Sequence, residues 1–384
     1  MKKTIYAIFA LILVTGLLAG CGTPTPATAP AATNVPETTT VEPVVTTEAP
    51  ATEVPVISVT DALGRTVEFE ELPSRIAIVG KAAFMLLDAA FLFPEAVERI
   101  TGYELRAQTG LDFINTAFPR SRTMTVLNTD ATAEQIAPLN PDLVMMKSYL
   151  KDGLGAQIEE IGIKVVYLDL ETPEAMANDI RTLGQVFGDS ERAEQLVNLY
   201  DQAVKKITDV TSTLSDDQKP SVLMLQYSDK GGEIAFKVPP AEWIQTGIVE
   251  MAGGKPVWTD TPTDGWTVIT LEQIAAWNPD VILVVDYKGK ALEAITSLKQ
   301  DNKWALLDAV KNGKIYAFPL DFQSWDQADT RWILGLTWTA KKLHPDLFSN
   351  ISMAEEIRYF YSGFYNLSDS EINQTILPLV RGDL

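Results

Sequence analysis

Two glutamates occupy the same place in two copies of one motif. Thr132-Ala-Glu134-Gln135-Ile136-Ala137-Pro138-Leu139-Asn140-Pro141-Asp142 recurs 138 residues later as Thr270-Leu-Glu272-Gln273-Ile274-Ala275-Ala276-Trp277-Asn278-Pro279-Asp280, with 8 of 11 positions identical. Each acid falls in the first turn of a short helix, where a carboxylate is stabilised by the helix dipole. Beyond this pair, chemistry-bearing residues are sparse. The 384 residues contain one Cys and one His. A disulfide scaffold, a Cys/His zinc site, a Cys–His nucleophile pair and a His-rich metal cage are therefore excluded. His344, in Leu-His-Pro at a helix end, reads as structural. The sequence carries no nucleophile elbow, no phosphate loop and no paired acids on a cleft motif, so no catalytic residue and no metal ligand is assigned.

The one cysteine has a different chemistry. Lys2 and Lys3 precede an apolar run from Ile5 to Leu18 that is short for a membrane span. The run ends in Leu18-Ala19-Gly20-Cys21, the pattern of a secretory signal (residues 1–20) with small residues before its cut. It resembles a bacterial lipobox, which implies cleavage before Cys21 and lipid attachment to its thiol. Two or three acyl chains, at about 0.8 kcal/mol per buried CH₂, would anchor the chain to the cell membrane from outside. Residues 21–56 are rich in Thr, Pro, Ala and Val and contain no Lys or Arg. They show no apolar periodicity and read as a disordered tether. At roughly 5–6 Å × √n, about 35 such residues span roughly 30–35 Å. Removing residues 1–20 takes away only two lysines and moves the net charge from −20 to −22. Such a field repels phosphate backbones, so nucleic acid is not a partner.

The elements that position the repeated glutamates alternate in type. Each copy of the motif is a short helix stopped by Asn-Pro-Asp. An unbroken apolar run follows, Leu143–Met146 or Val281–Val285, which reads as a buried strand. Around the first copy, strands are expected near Ile76–Val79, Arg99–Thr101 and Val165–Leu168, with helices near Ala83–Phe91 and Leu154–Ile161. Around the second, strands are expected near Val222–Gln226 and Ile315–Ala317, with helices near Trp243–Ala252, Trp304–Asp308 and Asp329–Leu343. This alternation predicts an α/β fold of two similar lobes with parallel-rich sheets. A hairpin, Val56–Thr60 with Arg65–Phe69, precedes the first lobe. Between the lobes, Ala193, Leu196, Val197, Tyr200, Val204, Ile207, Val210 and Leu214 follow a 3.6-residue period. One long helix over 190–214, capped by Ser190, therefore links an N-terminal lobe (57–189) to a C-terminal lobe (215–384).

Taken together, the motifs are similar to those of the helical-backbone (class III) substrate-binding proteins of ABC importers. The resemblance is carried by Val59-Thr-Asp61-Ala-Leu-Gly64-Arg65, Leu72-Pro73-Ser-Arg75-Ile76, both Glu-Gln-Ile-Ala…Asn-Pro-Asp segments, Arg331-Trp-Ile-Leu-Gly335-Leu and Lys342-Leu-His344-Pro345. It covers about residues 57–367. It implies a monomeric, non-enzymatic receptor that holds a small molecule in the cleft between its lobes and delivers it to a permease dimer with its ATPase. It also implies that Glu134 and Glu272 dock the lobes onto permease arginines. Two equivalent carboxylates suit a two-fold symmetric partner. The bound molecule expected is a ferric siderophore or similar iron chelate, with cobalamin, haem or a molybdate-type oxyanion as alternatives. An envelope scaffold or adhesion lipoprotein that keeps the fold without transport is the alternative of another class.

Ligand contacts are expected just after the strands. In the first lobe these are Lys81, Tyr103, Arg106, Lys147, Ser148 and Tyr149. In the second they are Tyr227, Trp266, Tyr287, Trp325 and Arg331. Flat π-rich chelates pack on the aromatic rings, and the cations would face an anionic group. Asp286 is expected to cap its loop.

Overall fold

A computed structural model describes residues 56–105 and 109–384. The expected signal, lipidated Cys21 and most of the tether fall outside the described residues, as does Arg106. Among the described residues no helix is long and apolar enough to cross a membrane.

The described chain opens with the expected hairpin, β1 (Ile57–Thr60) antiparallel to β2 (Thr66–Phe69). Asp61 builds its turn: Oδ1 accepts the Leu63 and Arg65 N–H groups, each at 3.0 Å. Gly64 supplies the positive φ of +71° that the turn needs. Arg65 fastens the hairpin to the first lobe by donating to Glu159 (2.7 Å) and to the Val165 carbonyl (2.8 Å).

The first sheet consists of β3 (Ile76–Ile78), β4 (Ile100–Glu104), β5 (Thr125–Leu127), β6 (Leu143–Lys147) and β7 (Val165–Leu168). All pairs are parallel, in the order β5-β4-β3-β6-β7. Strands β3, β6 and β7 are buried throughout, which is why they read as unbroken apolar runs. The winding direction reverses at β3, whose neighbours are β4 and β6. Such a switch point opens a crevice beyond the carboxyl ends of the strands.

The second sheet consists of β8 (Ser221–Lys230), β9 (Glu233–Val238), β10 (Lys255–Pro256), β11 (Thr267–Ile269), β12 (Val281–Val285) and β13 (Ile315–Ala317). Its order is β11-β9-β8-β12-β13, with β10 also on β8. The parallel expectation holds for β8, β10, β12 and β13. It misses β9 and β11, which are antiparallel. The signal for β9 was local: Gly231-Gly232, both with positive φ, form a two-residue turn between the paired Lys230 and Glu233.

The sequence repeat is also a structural repeat. Thr132 and Thr270 each open their helix in a capping box with the Gln three residues on. Asn140 and Asn278 each take left-handed φ, +47° and +39°, at the stop. The following aspartate then pins the first strand of its own lobe. Asp142 accepts the Ser74 and Arg75 N–H groups, and Asp280 accepts the Ser221 N–H.

The linking helix runs Ser190–Thr211, ~33 Å at 1.5 Å per residue. Asp189, not Ser190, is its cap: the carboxylate accepts the Arg192 N–H at 2.9 Å. The helix packs on Pro173–Phe187 of the first lobe and on Trp332–Leu343 of the second. Residues 318–331, the segment ahead of that last helix, are buried without interruption although they include Asp321, Gln323, Ser324, Asp326, Asp329 and Arg331.

Candidate functional site

The buried segment after β13 is where the two lobes meet. Its Phe322 carbonyl accepts the Thr109 hydroxyl at 2.9 Å, and the Phe322 ring lies 5.2 Å from Phe113. Arg331 organises the interface. It ion-pairs with Asp88 of the first lobe, with Asp321 (2.9 Å) and with Asp329 (3.4 Å). Nε also donates to the Tyr361 hydroxyl at 3.0 Å, and the guanidinium lies 4.5 Å from the Phe113 ring centre. One cation thus serves three fully buried carboxylates. Burial pushes Asp88 up to about 6 and Asp329 up to about 7, opposed by Arg331. Arg331 is held far above its ordinary value: its acidic surroundings outweigh the burial that opposes its charge.

This placement corrects two expected ligand contacts. Arg331 and Trp325 are both 0% exposed, and Trp325 donates its indole N–H to Asp321 at 3.1 Å. Both are interior groups here, because the loop that carries them is folded under rather than projecting ahead of the helix. Two first-lobe residues are corrected likewise. Tyr103 is buried and hydrogen-bonds Asp112 (2.9 Å) and Asn115 (2.8 Å). Lys147 is 1% exposed, with its ammonium on the Asp169 carbonyl and on Glu171 at 2.9 Å. Ser148 donates to Asp169 in the same loop.

Other expected residues keep an open face. Lys81 and Tyr149 are exposed, and the Tyr149 hydroxyl donates to the Lys81 carbonyl at 2.9 Å. Lys81 sits in a constrained loop after β3, between Gly80 (φ +91°) and Ala82 (φ +66°). A Cβ on Gly80 would fall 2.4 Å from Leu150. In the second lobe, Tyr227 lines a cavity of about 250 Å³ with Asp229, Asp286, Lys288, Lys290 and Glu293. Asp286 caps the Lys288 and Lys290 N–H groups.

The structure brings Trp266 and Tyr287 together. Trp266 is half-buried, edge-on to Tyr287 at 6.1 Å and to Trp243 at 6.2 Å. Tyr287 donates its hydroxyl to Asp326 at 3.1 Å. Burial and the facing Asp326 carboxylate hold the phenol far above its ordinary range, so it stays a donor. Gln245 Nε2 reaches the same oxygen at 3.4 Å. Burial raises Asp326 to about 6. Trp243, Gln245 and Asp326 were not anticipated: they come from a helix start and a buried loop that only the fold sets beside Tyr287.

The repeated glutamates, Glu134 and Glu272, are exposed in the first turns of their helices. Glu272 is held below the ordinary carboxylate value by its own backbone N–H and by Thr270. Among the described residues no group of three or more His, Cys, Asp or Glu is placed to hold a metal ion. His344 Nε2 lies 3.1 Å from the Gly253 carbonyl oxygen, a contact within the second lobe.

The sequence model of the periplasmic binding protein family matches residues 108–321, more than half of the chain. The chain belongs to this family. Over 355 residues the periplasmic binding protein is 25% identical to the uncharacterized ABC transporter substrate-binding lipoprotein YvrC of Bacillus subtilis, covering 91% of this chain and 99% of YvrC. It is 25% identical over 257 residues to the molybdate-binding protein MolA of Haemophilus influenzae, covering 61% of this chain and 70% of MolA. A solved periplasmic solute binding protein from Veillonella parvula superposes with a TM-score of 0.68 at 26% identity, covering 84% of this chain and 97% of that one. The periplasmic binding protein described here is thus an extracytoplasmic substrate-binding protein of an ABC transporter, not an enzyme, with the two-lobed α/β fold of its relatives.

Proposed function

We propose that this periplasmic binding protein captures a metal chelate of the ferric-siderophore type between its lobes and hands it to a permease dimer. The observation that carries this reading is the half-buried Trp243–Trp266–Tyr287 wall, whose rings offer a flat, π-rich ligand its packing surface. Lipidated Cys21 and the residues that follow it tether the monomer to the cell membrane. Glu134 and Glu272, one per lobe, orient it on basic permease loops, where exposed charges steer encounter more than they add affinity. The similarity to MolA favours a second reading, in which the ligand is an oxyanion.

Intrinsic tryptophan fluorescence tests the reading directly. The protein is titrated with a ferric hydroxamate, a ferric catecholate, haem, cobalamin and molybdate. Saturable quenching by an iron chelate, weakened at least tenfold in Trp266→Ala, is expected. No response to any of the five overturns the reading, and saturation by molybdate alone replaces it with the second.

A further inference from the structure

If Glu272 meets a permease arginine, the reading on which this inference rests, the surface beside it adds a second kind of contact. A groove of about 470 Å³ lies between the repeated helix Leu271–Trp277 and the segment ahead of β13. Leu271, Ala275, Leu306 and Leu307 are its apolar lining, and Glu272 and Lys303 stand among its charged groups. Glu272, Ala275, Lys303 and Leu306 are all exposed, so the groove is open to a partner.

Leu306 is 71% exposed, more than any other large apolar side chain among the described residues. The chain around it is not loose. Trp304 and Leu307 on either side are buried, and Trp304 packs on Phe236 at 4.8 Å. Asp301 Oδ1 accepts the Lys303 N–H at 2.7 Å and the Trp304 N–H at 3.2 Å. The Leu306 and Leu307 N–H groups close onto the Lys303 and Trp304 carbonyls at 3.2 and 3.0 Å. A single exposed leucine is ordinary, but one held on a braced turn at the lip of an apolar groove marks an interaction surface. The charges set the signs a partner must bring. Glu272 is held ionised by its own backbone N–H and Thr270, with the Lys303 cation assisting. Lys311, on the same groove, is already paired with Asp308 at 3.0 Å.

We propose that this groove is an apolar anchor for the permease, taking a loop in which an aliphatic or aromatic side chain lies between an arginine and a carboxylate. The arginine pairs with Glu272, the carboxylate with Lys303, and the apolar side chain covers Leu306. Rim charges steer the encounter, and the buried apolar contact slows release. The anchor belongs to one lobe. Residues 301–311 lie outside the repeat, and the corresponding crossover of the first lobe, β6 to β7, ends in Ala156–Glu160 with exposed Glu159 and Glu160. A second copy of this chain fits the groove poorly, since at −20 it brings an acidic field to a surface that asks for an arginine.

Photo-crosslinking of the full chain in its native cells tests the anchor. One variant carries Leu306→p-benzoylphenylalanine, and another carries the same change at Ala276, exposed on the helix of Glu272. Adducts are identified by mass spectrometry. Both positions are expected to capture an ABC permease subunit, on a loop that contains an arginine. Adding Leu306→Ser to the Ala276 variant is expected to cut its adduct at least tenfold, whereas adding Leu306→Met keeps it within twofold. Leu306 is exposed, so neither change threatens the fold. A permease adduct from position 276 with none from 306 overturns the anchor and leaves docking through Glu272 standing. So does a 276 adduct that Leu306→Ser leaves unchanged. An adduct of position 306 with a second copy of this chain overturns the anchor in favour of self-association. No permease adduct from either position removes the docking reading together with the anchor.

Discussion

Arg331 shows how far a residue's role depends on what surrounds it. An arginine opening a helix beside a cleft reads equally well as an anion clamp or a docking group. In the structure it is the only cation reaching Asp88, Asp321 and Asp329 among the described residues. Breaking a buried ion pair from one side strands the other charges, which typically costs about 3–5 kcal/mol. Arg331→Met is expected to lose that much in urea denaturation, and a loss under 1 kcal/mol would refute the role. Buried aspartates, two in this cluster and two outside it, set a pH dependence. Asp88, Asp326, Asp329 and Asp179 all have folded values raised to about 6 or 7 by burial. An unfolded aspartate releases its proton near about 3.9, so between about pH 4 and 7 the folded chain holds more protons than the unfolded one. Stability must then fall as pH rises through that window. The urea midpoint is expected to be lower at pH 8 than at pH 5, and the opposite order would contradict the burial of these acids. None of this was legible in sequence. Lys147, Tyr103 and Trp325 could be marked as strand-end residues, but turning inward or outward is decided by partners more than 20 positions away for Lys147 and by a loop fold for Trp325.

At the scale of elements the sequence was more informative, because periodicity and stop signals act locally. Strands β3, β6, β7, β12 and β13, the hairpin and the linking helix were all readable. The four hidden strands, β5, β9, β10 and β11, are short, partly exposed and lack an unbroken apolar run. What the pattern cannot show is how closely elements approach. Gly184, in the helix Pro173–Phe187, faces the linking helix so closely that a Cβ would lie 2.5 Å from the Ala193 Cβ. Gly184→Ala is therefore expected to destabilise by about 1–3 kcal/mol through overpacking. Gly363, in the helix Met353–Tyr365, offers the control. A Cβ there would meet Leu199 at an ordinary 3.8 Å. Gly363→Ala is expected to be neutral or to stabilise by up to about 1 kcal/mol through helix propensity. Thermal melting of the two variants would show opposite shifts; equal shifts would mean that the linking helix is not seated as described.

For the whole molecule, the repeat is the organising fact. It puts an exposed first-turn glutamate, a capping box and a strand-pinning aspartate into each lobe. Replacing Glu134 and Glu272 together by Ala is expected to leave chelate affinity within twofold of wild type and to abolish uptake by cells. Uptake at the wild-type rate would remove the docking role. Replacing Cys21 by Ala is expected to release the protein from membranes into the soluble fraction, and full retention on membranes would refute the anchor. The architecture and these outward glutamates were visible in a single sequence because both depend on short motifs. The cleft was not, because its walls are assembled from segments far apart.

That separation has a consequence for how the molecule comes into being. Asp88 and Arg331 stand 243 positions apart, and Thr109 and Phe322 stand 213 apart. A chain made from its N-terminus onward presents the aspartate long before the arginine exists. The first sheet can assemble meanwhile, but the acid must stay wet until its counterion arrives. The seam between the lobes is thus the last interior to dry, and long-range closure of this kind is slow. A chain cut short of residue 331 would leave Asp88 without its cation and keep that flank of the first lobe hydrated.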